Sequence, residues 1–133
     1  MIAEAHKTAD RLAALELLNA AGLRDPFGGL ATPREVCAGS RLFILLDDAG
    51  RIIGAYALDL NRFRAGVEAC IVAAAATGTR DFSDLIEQHA SAVALYGGAE
   101  VLTIATARPG LVRKLSRRGW TVSGWTMRKE IEC

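Results

Sequence analysis

Residues 71–89 read IVAAAATGTRDFSDLIEQH, an apolar run that passes through one glycine into a helical pattern. A strand, a glycine-bearing turn and a helix start, in this order, form the layout in which backbone N–H groups hold a phosphate. Phosphate loops usually carry two or three glycines, whereas Gly78 stands alone here. The residues by themselves leave two interpretations open, a cofactor-binding loop and a plain turn.

The chain on either side of this stretch predicts a mixed sheet. Two apolar runs, RLFILL and RIIGAYALDL, flank a turn at residues 47–50 and predict a hairpin. The run VEACIVAAAA is rich in alanine, which favours helix, but it is short and bounded by turn signals, so we expect a strand at 67–76. A helix at 81–96 and a strand at 100–106 follow, and this order predicts a right-handed parallel crossover.

The remaining patterns place helices around that sheet. Helices are predicted from Thr8, from Pro33 and between Pro109 and Gly119, and a last strand from Trp120 to Ile131. The expected fold class is therefore α/β, with a mixed, mostly antiparallel twisted sheet flanked by helices. A chain of 133 residues, 51% hydrophobic, is long enough to bury one core, so we expect a single domain over residues 1–133.

Composition and the amino-terminal residues indicate the cellular environment that we expect. No apolar run reaches the length of a membrane span, and MIAEAHKTAD lacks the apolar region of a secretion signal, so a cytoplasmic protein without membrane contact is expected. Cys37, Cys70 and Cys133 are widely spaced and have no zinc-like pattern. Reduced thiols and no bound metal are the expectation.

Charge is uneven along the chain. From Arg108 onward seven basic residues oppose two acidic ones, although the whole chain carries only +1. Because the basic helix at 109–118 lacks interleaved aromatic residues, nucleic-acid binding is not expected and a solvated face is favoured. Trp120, Trp125 and Met127 on the predicted last strand either pair with another subunit, giving a homodimer, or cover the core.

The element order and the ending LVRKLSRRGW resemble the GNAT superfamily of N-acetyltransferases, and in particular small divergent GNAT-like proteins of phage and prophage gene clusters. The resemblance implies a CoA thioester, acetyl-CoA, as donor and an amine as acceptor. It implies that Ala73 and Ala74 line the pantetheine arm. It also implies that the loop around Gly78 holds the pyrophosphate. The implied loop residues are Thr77, Gly78, Thr79 and Arg80.

Two family positions differ in this chain. Arg80 or its neighbour stands where the family has a second glycine, and Leu115 stands where the family has a tyrosine acid. Glu68 is the carboxylate that we assign as general base, its alternative being a solvent-exposed edge residue. The expected function is acetyl transfer from acetyl-CoA to an unidentified amine. The alternative is a catalytically inactive GNAT-fold accessory or interaction protein of phage or prophage origin.

Overall fold

The computed structural model describes residues 1–20, 32–78, 80–106 and 108–131. Nine helices and strands are found in this part of the chain, in the predicted order except at the carboxyl end. They are β1 (Ile2–Glu4), α1 (Thr8–Ala20), α2 (Pro33–Cys37), β2 (Arg41–Leu46), β3 (Ile52–Phe63), β4 (Gly66–Ala76), α3 (Ser83–Tyr96), β5 (Val101–Ile104) and α4 (Pro109–Ser116).

The five strands form one sheet in the order β1-β2-β3-β4-β5. Neighbours are antiparallel except β4 and β5, which run parallel and are joined through α3. The predicted α/β class and the parallel crossover are therefore confirmed. The alanine-rich run is a strand because β3 pairs with it along its length, and β5 pairs with its first half; these hydrogen bonds outweigh the helix propensity of alanine.

Helices cover both faces of the sheet. On one face α3 packs on Phe43, Tyr56 and Ile71; on the other, α1 and α2 pack on Leu42 and Ala55. Alternate residues of each strand enter the two clusters, as the period of a strand requires. Because strand side chains alternate between the two faces, each polar strand residue lies on one face or the other. Polar residues can form a site together when they share a face.

The predicted last strand is wrong. Residues 120–131 form neither helix nor strand, and every residue from Thr121 to Ile131 is exposed. A strand requires a neighbour to satisfy its backbone groups, and no strand of the described chain lies beside this segment. The Pro and Gly content of residues 23–31 predicts a loop, and Gly22 is the predicted end of the first helix; both lie outside the described residues.

The helices within the described residues are short. The longest, α3, has 14 residues, and none of these helices is long and apolar enough to span a bilayer.

Candidate functional site

The sheet opens between β4 and β5. Their pairing ends at Ile71 and Ile104, whereas β4 continues to Ala76 with β3 as its neighbour. Over residues 72–76 the edge of β4 that would face β5 has no strand partner within the described residues. Main-chain N–H and C=O groups along this edge are free to bind an extended ligand by strand-like hydrogen bonds.

A β-bulge lies where the sheet opens. Ala57 pairs with Ala73 and Leu58 pairs with Ile71, so Val72 is an extra residue without a partner on β3. Val72 and Ala73 consequently both pack on the α1 side of the sheet. A bulge bends and twists its strand, which gives a local cause for the separation of β4 from β5.

Small residues bring β3 close to the last part of β4. A Cβ added to Gly54 would lie 3.0 Å from the Ala75 carbonyl oxygen and 3.3 Å from the Ala76 Cβ. Glycine at position 54 therefore allows a close backbone approach. Ala73 and Ala74, beside the opening, pack their short side chains on opposite faces of the sheet.

The turn after β4 carries most of the predicted cofactor-binding residues. The Thr77 amide and hydroxyl both donate to the Ile53 carbonyl oxygen, at 2.8 and 3.2 Å, so Thr77 closes the end of the sheet. Gly78 has a φ of +79° and open space where a Cβ would be. Arg80 is exposed, with its guanidinium 4.9 Å from the centre of the Phe82 ring. Thr79 lies outside the described residues.

A carboxylate already occupies part of the α3 amino terminus. Asp81 Oδ1 accepts a hydrogen bond from the Ser83 amide at 2.9 Å, and Asp81 forms an ion pair with Lys114 of α4. The helix begins at Ser83, two residues after the predicted start at 81, and Phe82 is its cap residue, so Asp81 binds the helix start from one residue before the cap. The Ser83 hydroxyl is buried and finds no partner in the described structure.

Further polar contacts join α3 to the residues that follow α4. Arg118 contacts Asp84 at 2.7 Å and Glu87 at 3.4 Å, and the Trp120 indole donates to Glu87 at 2.8 Å. The basic residues in and after α4 are therefore only partly solvated, because Lys114 binds Asp81 before α3 and Arg118, which follows α4, binds two carboxylates of α3. This pairing removes much of the positive charge that a nucleic acid would need.

The site thus fits one part of a CoA molecule better than the other. The open edge of β4 and its alanine side chains suit a thin, hydrogen-bonding pantetheine arm. The loop suits a pyrophosphate less well, because Asp81 holds the Ser83 amide and places negative charge where the phosphates of the ligand would bind. Lys114 offsets that charge in part.

Glu68 lies away from the loop. It is half-buried near the start of β4, where Asn61 Nδ2 donates to its Oε1 at 3.4 Å. Four residues separate Glu68 from Val72, or about 13 Å along a strand. The structure therefore does not bring the proposed base together with the cofactor loop, although Glu68 shares its strand with the opening.

A second carboxylate, which the sequence analysis missed, lies nearer to the opening. Asp59 pairs with Cys70 across β3 and β4, and its neighbours Leu58 and Leu60 face α3, so Asp59 faces α2. One signal was available, a single charged residue within the apolar run AYALDL. The cross-strand position, which depends on the β3–β4 register, was not readable from the sequence.

The thiols on this face are held in their neutral form. Burial, followed by the negative charge of Asp59, raises the pKa of Cys37 to about 11. Burial also raises the pKa of Cys70; a hydrogen bond with Thr103 opposes this, while Glu68 and Asp59 add to it. Since the thiolate is the nucleophilic form, neither environment activates a cysteine.

Another pair missed by the sequence analysis lies on the opposite face. The Tyr56 hydroxyl oxygen is 2.6 Å from His89 Nδ1, and Tyr56 stacks on Phe43 with ring centres 4.8 Å apart. Leu115, which stands at the family's acid position, is buried and carries no proton to donate. Within the described chain, no group of three or more potential ligand residues could hold a metal ion.

A shallow groove of about 280 Å³ lies elsewhere, between the β2–β3 turn and the start of α3. Arg80 and Phe82 line it together with Leu45, Asp47 and Asp48. The Arg80 side chain thus borders the β2–β3 end of the sheet. The opening between β4 and β5, defined by strand pairing, remains the better candidate site because it exposes unpaired backbone groups.

Comparison with solved structures places this geometry in a known fold. A putative acetyl transferase from Pyrococcus furiosus superimposes with a TM-score of 0.74 at 14% identity, covering 98% of this chain and 99% of its own. A GNAT family acetyltransferase from Staphylococcus aureus gives 0.67 at 10% identity, with 98% of both chains covered. The chain has the GNAT fold.

A structure with a different description also superimposes on this chain. A transcriptional regulator from Bacillus halodurans gives a TM-score of 0.71 at 15% identity, covering 98% of this chain and 99% of its own. No protein-family model and no curated protein matches the sequence. None of these three structures is described as a phage protein, so the expected phage or prophage origin is not supported.

Proposed function

We propose that residues 1–133 act as one N-acetyltransferase domain that transfers acetyl from acetyl-CoA to an amine. The observation that carries this proposal is the opening of the sheet at Val72, where a bulge and the end of β4–β5 pairing coincide. GNAT-fold acetyltransferases among the similar structures support it. The acceptor is an amine of unidentified structure.

The chain's own groups suit direct transfer. The amine nitrogen would attack the thioester carbonyl carbon, forming a C–N bond as the C–S bond breaks, and the amine would lose a proton. Main-chain N–H groups on the open β4 edge would stabilise negative charge on the carbonyl oxygen. Because Leu115 cannot supply a proton, the departing thiolate would be protonated by water or leave as the anion.

Two carboxylates are alternatives for the general base that would accept the amine proton. Glu68 and Asp59 lie on β4 and β3, and Asp59 is about two residues nearer to the opening, or about 7 Å along the strand. Each would act directly or through water. Activity that survives Glu68→Gln but falls in Asp59→Asn would transfer the proposed role to Asp59, whereas the reverse result would support Glu68.

The proposed cofactor contacts divide into an arm and a phosphate part. Backbone groups of Ala73 and Ala74 would hold the pantetheine arm. Thr77, Gly78, Thr79 and Arg80 would contact the pyrophosphate. Arg80 is exposed and can supply positive charge, while Asp81 opposes the same anion.

Ligand fragments test this division. A ligand that binds only the native state raises the melting temperature, by an amount that grows as the logarithm of its concentration. We expect millimolar acetyl-CoA and pantetheine to raise it, and 3′,5′-ADP to have a much smaller effect. If none of the three ligands changes the melting temperature and no transfer occurs to a panel of amines, the proposal fails and an inactive accessory protein becomes the better description.

A further inference from the structure

The shallow groove between the β2–β3 turn and the start of α3 is lined mostly by apolar side chains. Leu45 and Phe82 are 1% and 9% exposed, Ile53 is half-buried, and Leu85 is 40% exposed. An apolar hollow with a few polar groups is the usual form of a small-molecule site. The groove lies on the β2 side of the sheet and the opening lies beside β5, so a ligand of the groove is independent of the proposed acetyl transfer.

Arg80 brings a positive charge to this groove. Its guanidinium lies 4.9 Å from the centre of the Phe82 ring, a cation–π contact that holds the group against a buried side chain. Such a contact occupies none of the five N–H donors of an arginine. Within the described residues Arg80 forms no ion pair. A guanidinium in this state is suited to bind a ligand carboxylate through two parallel hydrogen bonds.

The two acidic residues of the groove differ in what they can offer to a ligand. The Asp47 carboxylate already accepts hydrogen bonds from the Ala49 amide at 2.9 Å, the Arg51 amide at 2.8 Å and Arg51 Nε at 3.0 Å. Asp48 is exposed and forms no ion pair with the part of the chain that the structure describes. The groove therefore presents one cation, Arg80, and one anion, Asp48, beside an apolar surface.

We propose that this groove binds a free α-amino acid with an apolar side chain. The carboxylate of the ligand contacts Arg80, its ammonium group contacts Asp48, and its side chain packs on Phe82 and Leu85. An apolar anion would meet the repulsion of Asp48, and an apolar cation would meet that of Arg80, whereas a zwitterion is attracted by both. A polar side chain would lose its water without gaining a partner on the apolar lining.

The volume of the groove limits the size of the ligand. It holds about 280 Å³, just below the roughly 300–1,000 Å³ of pockets for drug-sized ligands. A single amino acid of about leucine size is therefore a better match than a dipeptide or a nucleotide. Because so small a ligand makes few contacts and the groove is shallow, we expect a dissociation constant in the millimolar range.

A titration of the ¹⁵N-labelled chain with L-leucine, followed by NMR without acetyl-CoA, tests the proposal. Saturable shifts of amide resonances are expected at residues 45–48, 53 and 80–85, and not at residues 72–76. Three matched probes each lack one feature of leucine. Leucinamide has no carboxylate, 4-methylpentanoate has no ammonium group, and glycine has no apolar side chain, so each should bind more weakly than L-leucine.

Substitutions identify the groups that bind. Arg80→Gln and Asp48→Asn should each weaken L-leucine binding about 3- to 10-fold, between the effects of an exposed ion pair and of a charge-assisted hydrogen bond. Arg80→Gln should not weaken leucinamide binding, and Asp48→Asn should not weaken 4-methylpentanoate binding, because each probe lacks the group concerned. Arg64→Gln and Glu16→Gln change exposed charges outside the groove and should have no effect.

Four results would overturn the proposal. The first is the absence of saturable shifts up to roughly 20 mM L-leucine, well above a millimolar dissociation constant. The second is saturable shifts confined to the open edge of β4. The third is a probe lacking one charge that binds as tightly as L-leucine. The fourth is unchanged affinity in both Arg80→Gln and Asp48→Asn. Since acetyl-CoA takes no part in these measurements, a failure of the proposed acetyl transfer would leave their outcome unaffected.

Discussion

Replacing Tyr56 by phenylalanine removes one hydroxyl from the centre of the sheet. Tyr56 is fully buried, and its hydroxyl lies 2.6 Å from His89 Nδ1 on α3. With His89 neutral and its proton on Nε2, the hydroxyl donates to Nδ1. The stacking on Phe43, with an interplanar angle of 12°, needs only the ring and should survive the substitution.

The expected loss is that of one hydrogen bond with its acceptor left partly buried. Such a loss costs about 1–2 kcal/mol. For a chain of 133 residues this lowers the melting temperature by about 4–7 °C. Tyr96→Phe provides a matched control. Because Tyr96 is 96% exposed, this variant should unfold at the wild-type temperature.

The pH dependence of stability gives a second, independent test of the Tyr56–His89 hydrogen bond. Burial lowers the pKa of His89, and the positive charge of Arg41 adds to this while Glu4 opposes it. The unfolded chain therefore binds more protons than the native one, and the His89 contribution to stability falls as pH drops below about 6.5. A protonated Nδ1 cannot accept from Tyr56, so the deficit of Tyr56→Phe should shrink as the pH falls through the native pKa of His89, which lies below 6.5.

Urea unfolding at equal protein concentration, repeated across this pH range, measures both effects. A free-energy difference between wild type and Tyr56→Phe that stays constant with pH would refute the assigned direction of the hydrogen bond. A difference no larger than that of Tyr96→Phe would refute its contribution to stability.

Three further changes test other parts of the structure. Arg41 lowers the pKa of Glu4 through hydrogen bonds of 2.6 and 3.1 Å. The stability that this pair contributes should therefore be lost as pH falls below about 4.5. Glu4→Gln should flatten that part of a stability profile measured by urea unfolding. Gly54→Ala should destabilise by about 1–3 kcal/mol, because its Cβ would press on Ala75 and Leu45; an unchanged melting temperature would contradict the close approach. Asp81→Asn should strengthen 3′,5′-ADP binding several-fold in calorimetry, and unchanged affinity would show that Asp81 does not oppose the phosphates.

Much of the candidate site could be selected from the sequence because its residues are contiguous. Ala73, Ala74 and Gly78 lie on one strand and the turn that follows it, so the resemblance to a known loop sufficed to select them. Contacts between distant segments were not open to prediction. Tyr56 and His89 are 33 residues apart, and Asp59 comes opposite Cys70 only through the β3–β4 register.

The sequence by itself determined the order and type of the elements from β1 to α4. Apolar periodicity, the turn at residues 47–50 and the glycines after α3 are local signals, and they act through backbone conformations that each segment adopts on its own. They predicted the hairpin, the strand at 67–76 and the parallel crossover.

Only the tertiary structure decided where strand pairing stops and whether the last segment finds a partner. The bulge at Val72 and the end of β4–β5 pairing create the open edge. The alternation of Trp120–Ile131 predicted a strand, but the segment remains without one because a strand needs a neighbour. Hydrogen bonding between strands joins residues far apart in the chain, so the pattern of one segment cannot specify whether its partner is present.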